Sequence, residues 1–312
     1  MADLSSPSFP ASYQWRAATV GDARAIHDLV AACERELLGD PETEPDRIAA
    51  DLTLPGLDPA VDTLLVHDAD GGLAGRGWVH GGRRSAVDVH PDHRGKGLGG
   101  ALLDWVEARA RQAGGERLSQ TVSDGDRAAV GLLRARGYEP FVTQWLLEIG
   151  LSAEPVVPGP PPGVTWRCFR PGDERAAYRL TEDAFDEWQK RRLSYEEWAR
   201  HTVELDTFAP EFSPVAFVGE QMVGAVLSLN VPGTDEGYVE RVAVRKDHRN
   251  RGIARMLLQA SFRAFHREGR RTCTLWTHSE TGALSLYQRV GMTVRRGSAV
   301  YGKALGGVTP GG

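Results

Sequence analysis

The sequence predicts an α/β (α+β) protein of two tandem domains, each a mixed central sheet flanked by helices. Three observations predict it. One stretch occurs twice: Val87-Asp88-Val89-His90-Pro91-Asp92-His93-Arg94-Gly95-Lys96-Gly97-Leu98-Gly99 and Val242-Ala243-Val244-Arg245-Lys246-Asp247-His248-Arg249-Asn250-Arg251-Gly252-Ile253-Ala254 share one layout, with Arg94 and Arg249 exactly as far apart as Gly97 and Gly252, at 155 positions. Short β-branched runs alternate with runs of helical period in both halves. Pro155, Pro158, Pro160, Pro161 and Pro162 crowd the middle of the chain, where they favour an extended, semi-rigid linker. Self-similarity at this spacing means two copies of one fold, and 312 residues suffice for two domains of about 150 each.

The elements follow in order. Residues 1–12 read as disordered, 13–150 as the first domain, 151–163 as the linker, 164–304 as the second domain and 305–312 as a flexible tail. Tyr13–Ala17 reads as a strand. Gly21-Asp22 opens a helix carrying Ala25, Ile26, Leu29, Val30 and Cys33, broken at Asp40-Pro41, and Glu44–Leu52 is a second helix. Leu64–Val66 and Leu73–Val79 pair around the Asp68–Gly72 turn. Then come a strand at Ser85–Val89, a helix at Gly97–Gln112, a strand at Ser119–Val122, a helix at Asp126–Arg136 and a closing strand at Phe141–Leu147. The second half repeats the plan. Val164–Cys168 is a strand and Ala177, Leu180 and Ala184 mark a helix. Ser194 and Glu197 form a capping box. Strands follow at Val215–Val218, Met222–Leu229 and Tyr238–Val244. A helix at Gly252–His266, a strand at Thr272–His278, a helix at Thr281–Arg289 and a last strand at Thr293–Tyr301 complete it.

Composition narrows the function classes. The net charge of −5 argues against nucleic acid as a bulk partner. No apolar run approaches the ~18 residues of a membrane span, and Met1–Pro10 has no signal-peptide core. Cys33, Cys168 and Cys273 have neither metal nor redox spacing; buried free thiols in a reducing cytoplasm are expected.

The repeated stretch carries chemistry. Backbone N–H groups at a helix start lack intrahelical partners and point outward as an anion site. Gly252 and the small Ala254 allow a phosphate to approach, and Arg249, Arg251 and Arg255 add positive charge, so a pyrophosphate is the expected guest. No Gly-Lys-Ser/Thr is present, which excludes a Walker-type loop. The pattern Arg-x-x-Gly-x-Gly/Ala after a Val-x-Val strand resembles the acyl-CoA loop of the GNAT family of N-acetyltransferases. The resemblance implies acetyl-CoA as cosubstrate. Its pyrophosphate would lie on the backbone of Arg249, Asn250, Arg251, Gly252, Ile253 and Ala254, and of Arg94, Gly95, Lys96, Gly97, Leu98 and Gly99 in the first copy. Its pantetheine arm would lie along a splayed strand at Val242, Ala243 and Val244, or Val87 and Val89.

The halves diverge at the reacting end. Glu280–Met292 resembles the family signature Asn-x-x-Ala-x-x-Leu-Tyr-x-x-x-Gly-Phe, with Glu280 at the Asn position, Ala283 matching and Tyr287 at the Tyr that in the family protonates the departing thiolate. A carboxylate cannot donate the hydrogen bonds of the Asn amide. A phenol (pKa ~10) can supply a proton at neutral pH. In the first half Leu133 stands at the Tyr position. Glu240, two residues before Val242, shares its face under strict alternation and is the candidate base; Tyr238, His278 or a water are the alternatives, and Ser85 is its counterpart. Tyr287 as a core residue and Glu240 as a surface strand residue or one ion-paired with Arg241 or Arg295 remain the structural alternatives. The second half is therefore expected to catalyse and the first to be non-catalytic. This division resembles the tandem mycothiol synthases, with one departure: they have Glu four residues before the strand triplet, where this chain has Tyr238.

On the substrate side, Glu182, Asp183, Asp186, Glu187, Trp188, Tyr195, Glu196 and Trp198 suit a cationic small-molecule amine or a solvated helix face. A mycothiol-type acceptor, a protein N-terminus and a non-catalytic acyl-CoA sensor are the rival readings. Nothing in the sequence specifies an oligomeric state.

Overall fold

The computed structural model describes residues 9–41, 43, 45–186, 191–231 and 233–306; the expectations on Met1–Ser8, Glu44, Glu187, Trp188 and 307–312 fall outside them. In chain order the elements are β1 (Gln14–Arg16), α1 (Ala23–Leu38), α2 (Pro45–Leu52), α3 (Pro59–Asp62), β2 (Thr63–His67), β3 (Leu73–His80), β4 (Arg84–Val89), α4 (Leu98–Gln112), β5 (Arg117–Ser123), α5 (Arg127–Ala135) and β6 (Glu139–Gly150). They continue with β7 (Thr165–Cys168), α6 (Glu174–Phe185), α7 (Tyr195–Arg200), β8 (Pro214–Val218), β9 (Gln221–Asn230), β10 (Glu236–Val244), α8 (Ile253–Arg267), β11 (Thr272–His278), α9 (Leu284–Arg289) and β12 (Thr293–Ala304).

Two compact units result, Met1–Thr143 with Ser298–Gly312, and Gln144–Gly297. This differs from the expected boundaries, and the closing strands are the reason. In the first unit the strand beside β5 is not Phe141–Leu147 but the end of β12, antiparallel from Ser298 against Ser123 to Ala304 against Arg117. Beside β11 in the second unit lies the end of β6, from Gln144 against His278 to Gly150 against Thr272. Each half of the chain thus closes the other half's sheet. Alternation explains why the strands fit. Ala299 and Tyr301 enter the first unit's core, while Leu147 and Ile149 enter the second unit's. The first closure also carries a charge lock: Lys303 Nζ donates to both carboxylate oxygens of the buried Glu107 at 2.8 Å.

The proline run is not a free linker. It belongs to the second unit, where Leu151, Val157 and Val164 pack on the core and Leu151 N donates to Arg271 O at 2.7 Å. Ends expected to be loose are also held: Phe9 packs against the first core, and Leu305 is buried with its N–H bonded to Glu116 O at 2.8 Å. Cys33 and Cys273 are buried free thiols, but Cys168 is exposed.

Local chemistry sets the helix starts. Ser194 Oγ accepts from Glu197 N while the Glu197 carboxylate accepts from Ser194 N, the expected capping box of α7. Helix α8 buries Ile253, Met256, Leu257, Ala260 and Phe265, an apolar stripe laid on the sheet, while α6 and α7 cover the other face through Ala177, Leu180 and Trp198. Each unit is therefore a mixed sheet between helices.

Candidate active site

In the second unit β10 and β11 run parallel, but their pairing stops at Tyr238 against Thr274. Beyond that point β10 stays with β9 as far as Val244, while β11 stays with β6. The strands splay, and a cleft of about 810 Å³ opens between them, within the range of small-molecule sites. The first unit splays likewise, its parallel pairing reduced to Arg84 against Ser119.

A loop closes one end of this cleft. A 3-10 turn at Lys246–His248 is followed by Asn250 at φ +62° and Gly252 at φ +84°. Gly252 is required by that left-handed backbone rather than by a neighbour, for a Cβ there would meet nothing within 4 Å. No side chain caps the first turn of α8 and no acid lies in it, so its N–H groups face the cleft mouth without a partner on the helix. Arg255 from α8 and Arg289 from α9 line the same cleft. Free N–H groups, positive charge and an unpaired strand edge fit a long phosphate-bearing amide such as acetyl-CoA.

The structure brings most of the expected residues together. Glu240, Val242, Ala243, Val244, Arg249, Asn250, Gly252, Ile253, Ala254, His278, Glu280, Ala283 and Tyr287 all line the cleft. Arg251 is exposed and does not. Arg249 does structural work as well, its Nε donating to Val244 O at 3.3 Å and its Nη2 to Ala184 O at 3.2 Å. Glu280 lies with one carboxylate oxygen 3.7 Å from His278 Nδ1. Tyr287 satisfies both readings at once: its ring is 7% exposed within the core, yet it borders the cleft. Burial pushes its phenol well above the ordinary value.

The simple alternation around Glu240 fails, because β10 carries a bulge. Val239 opposes Ser228 and Arg241 opposes Leu227, so Glu240 is an extra residue with no opposite number. Counting by twos across it misplaces Tyr238, which does not line the cleft. Burial raises the affinity of Glu240 for a proton, with the Arg241 charge opposing. Burial, and then the Glu240 charge, raises the Tyr238 phenol too. The bulge also delivers Arg241 to the cleft, a residue sequence reasoning left as a mere ion-pair partner. Its signal was two adjacent charges inside an otherwise apolar strand.

The first unit repeats the loop. Gly95 and Gly97 stand at φ +74° and +87°, and the first turn of α4 is likewise uncapped. Around it the surroundings differ. Strand β4 meets β3 without a register shift, so no residue answers to Glu240, and the buried Ser85 spends its hydroxyl on Ser119 O at 3.3 Å. Leu133 is buried in the core. Arg94 pairs with Glu36, and Arg76 with Asp88 at 2.6 Å. A Cβ at Gly99 would lie 3.1 Å from Leu132, so α5 presses on the loop helix.

Comparison with known proteins agrees with this geometry. The sequence model of the Acetyltransferase (GNAT) family matches twice, over residues 25–138 and 175–292. The mycothiol acetyltransferase of Frankia casuarinae is 30% identical over 295 residues, covering 87% of this chain and 81% of that one. That of Catenulispora acidiphila is 28% identical over 228 residues, 70% and 72% of the two chains. A GCN5-related N-acetyltransferase from Sphaerobacter thermophilus, of known structure, is 31% identical with a TM-score of 0.76, covering 96% of this chain and 98% of its own. No described helix is long and apolar enough to cross a membrane. With the family match spread over both halves, the chain belongs to the GNAT family of acetyltransferases, as a tandem N-acetyltransferase.

Proposed function

We propose that the second unit transfers the acetyl group of acetyl-CoA, the cosubstrate of this family, to the primary amine of a small molecule, and that the first unit is non-catalytic. The carrying observation is that Glu240 and Tyr287, the two candidate proton-handling groups, line the same cleft as the loop. Acetyl-CoA supplies an acyl group activated as a thioester. The first-turn amides of α8, with Arg255 and Arg289, hold its phosphates, and the open edge of β10 at Val242–Val244 holds its amide arm.

Glu240 takes the proton of the acceptor's ammonium, directly or through a water, and burial makes it a stronger base than a solvated carboxylate. The freed amine forms the new C–N bond as the C–S bond breaks, and the second proton then left on its nitrogen passes, directly or through water, to the phenolate that Tyr287 becomes once it has protonated the sulfur. Tyr287 delivers its hydroxyl proton to the departing sulfur; burial keeps the phenol protonated at neutral pH, and core packing fixes the ring. In the first unit Leu133 and Ser85 can do neither.

A second reading is acetylation of a cysteinyl amino-sugar conjugate. It is supported by the mycothiol acetyltransferases that match most of the chain.

Calorimetric titration of acetyl-CoA into wild type, Gly252→Asp and Gly97→Asp tests the assignment. Each substitution puts a carboxylate at a loop that has to hold phosphate, in a backbone conformation that disfavours a side chain. Binding lost in Gly252→Asp and retained in Gly97→Asp is expected. Loss confined to Gly97→Asp reverses the roles of the units, and no binding by wild type sinks the reading.

A further inference from the structure

Arg241 is half-buried and lines the cleft. The fold pairs its comparable arginines: Arg76 with Asp88, Arg109 with Asp62 and Arg167 with Asp173, at 2.6 to 2.8 Å. Among the described residues nothing accepts a hydrogen bond from Arg241, and its Nε is sealed from solvent without an acceptor. The guanidinium lies over the ring of Phe185, 5.8 Å from its centroid, which holds it on the α6 side of the strand. Its neighbour Glu240 lines the same cleft and likewise has no hydrogen bond or ion pair among the described residues. Two opposite charges, adjacent on one bulge, are thus both half-buried; each feels the other's charge, and Arg241 also that of the buried Glu182, but neither has a hydrogen-bond partner among the described residues.

Sequestering a charge without a partner is costly, and a fold that gained nothing by it would favour an apolar side chain there. A ligand that carries one charge of each sign, close together, would neutralise both. A dianion would be repelled by Glu240, and a plain cation would leave Arg241 unsatisfied. The loop and its arginines, Arg255 and Arg289, are separate elements suited to the phosphates, so Arg241 is not needed for them.

We propose that the acceptor is zwitterionic, a small amino acid whose amine is presented to Glu240 and whose carboxylate is held by Arg241. The guanidinium fork matches a carboxylate in two hydrogen bonds, as an ammonium cannot. This inference rests on the second-unit cleft being the acetyl-transfer site. It also separates the two readings of that site: in a cysteinyl amino-sugar conjugate the cysteine carboxyl is already consumed in an amide, so the amine remains but the carboxylate does not.

The test compares kcat/KM for L-amino acids and for their carboxamides, by thiol release and product mass, in wild type, Arg241→Gln and Arg241→Lys. Wild type should favour the free acids about 10- to 100-fold, the scale of a charge-assisted pair. The advantage should vanish in Arg241→Gln and survive in part in Arg241→Lys, which keeps the charge and loses the fork. Thermal unfolding adds a readout: a charge kept for a ligand can be removed without lowering the melting temperature. Equal use of acids and carboxamides, a preference that persists in Arg241→Gln, or an Arg241→Gln protein that melts well below wild type overturns the inference. So does a wild type that acetylates only carboxylate-free amines, which leaves the acetyl-transfer reading intact. A wild type that binds no acetyl-CoA overturns both.

Discussion

The two units share a loop and differ in how they dispose of charge. Gly97 and Gly252 stand within a few degrees of each other, at φ +87° and +84°, and both open an uncapped helix. In the first unit the arginines near the splayed strand are paired, Arg76 with Asp88 and Arg94 with Glu36. In the second, a bulge pushes Glu240 and Arg241 into a cleft, and among the described residues neither makes a hydrogen bond or a close ion pair. A paired charge is part of the scaffold, whereas an unpaired one at a cleft is available to a substrate. On the proposed assignment, one inserted residue and one tyrosine separate a reaction site in one half from a support in the other.

The largest test of that contrast is Tyr287→Phe. Removing a positioned proton donor should lower kcat by about 10²- to 10⁴-fold while calorimetric acetyl-CoA binding persists. The reciprocal Leu133→Tyr should add no turnover, because the first unit has no bulged carboxylate to deprotonate an amine. Activity gained there would mean that the tyrosine alone separates the units.

Next come the closing strands. In the first unit Lys303 neutralises a Glu107 that is 5% exposed, whereas Leu147 and Ile149 close the second with no buried ion pair of this kind among the described residues. Lys303→Met strands a buried carboxylate, and denaturant unfolding should record a loss of about 3 kcal/mol, with Arg111, 3.3 Å from Glu107, limiting the damage. The double variant Glu107→Leu/Lys303→Met should recover most of it. A double variant as weak as the single would show that the strand, not the charge, was damaged.

A smaller effect separates scaffold charges from ligand charges. Asp88→Ala leaves Arg76 without its partner and should cost about 1–3 kcal/mol of unfolding free energy. Arg241→Met, which removes a charge that makes no hydrogen bond within the fold, should cost less than Asp88→Ala. Similar losses in both would erase the distinction drawn between the units.

The loops, the order of elements and the Tyr287–Leu133 contrast were legible because they rest on local signals: glycine at a left-handed turn, apolar period, one residue type at one position. Two features were not. The exchange of closing strands was hidden because nothing local in Phe141–Leu147 or Thr293–Tyr301 marks which sheet each joins; the contacts that seat them, such as Lys303 with Glu107 and Leu151 with Arg271, are remote in sequence. The bulge was hidden because alternation read from sequence assumes one residue per pleat. Val239-Glu240-Arg241-Val242 breaks that assumption with no glycine to mark it.

The smallest expected effect examines Glu240 directly. Its carboxyl binds a proton more tightly in the folded protein than in an unfolded chain, because burial outweighs the help of Arg241. A raised folded pKa means that the ionised form opposes folding. Below the unfolded value, ~4.3, the group is protonated in both states and contributes nothing; above the raised folded value it destabilises the fold by a constant amount. Glu240→Gln should therefore melt above wild type at pH 7 and converge with it as the pH falls below 4. The activity of wild type should rise along the same limb, since a base works only once ionised, and that limb should be absent from the residual activity of the variant. If Gln instead lowers the melting temperature at pH 7, the carboxylate is serving as a partner of Arg241 within the fold, and the second unit's bulge would be scaffold like the paired charges of the first.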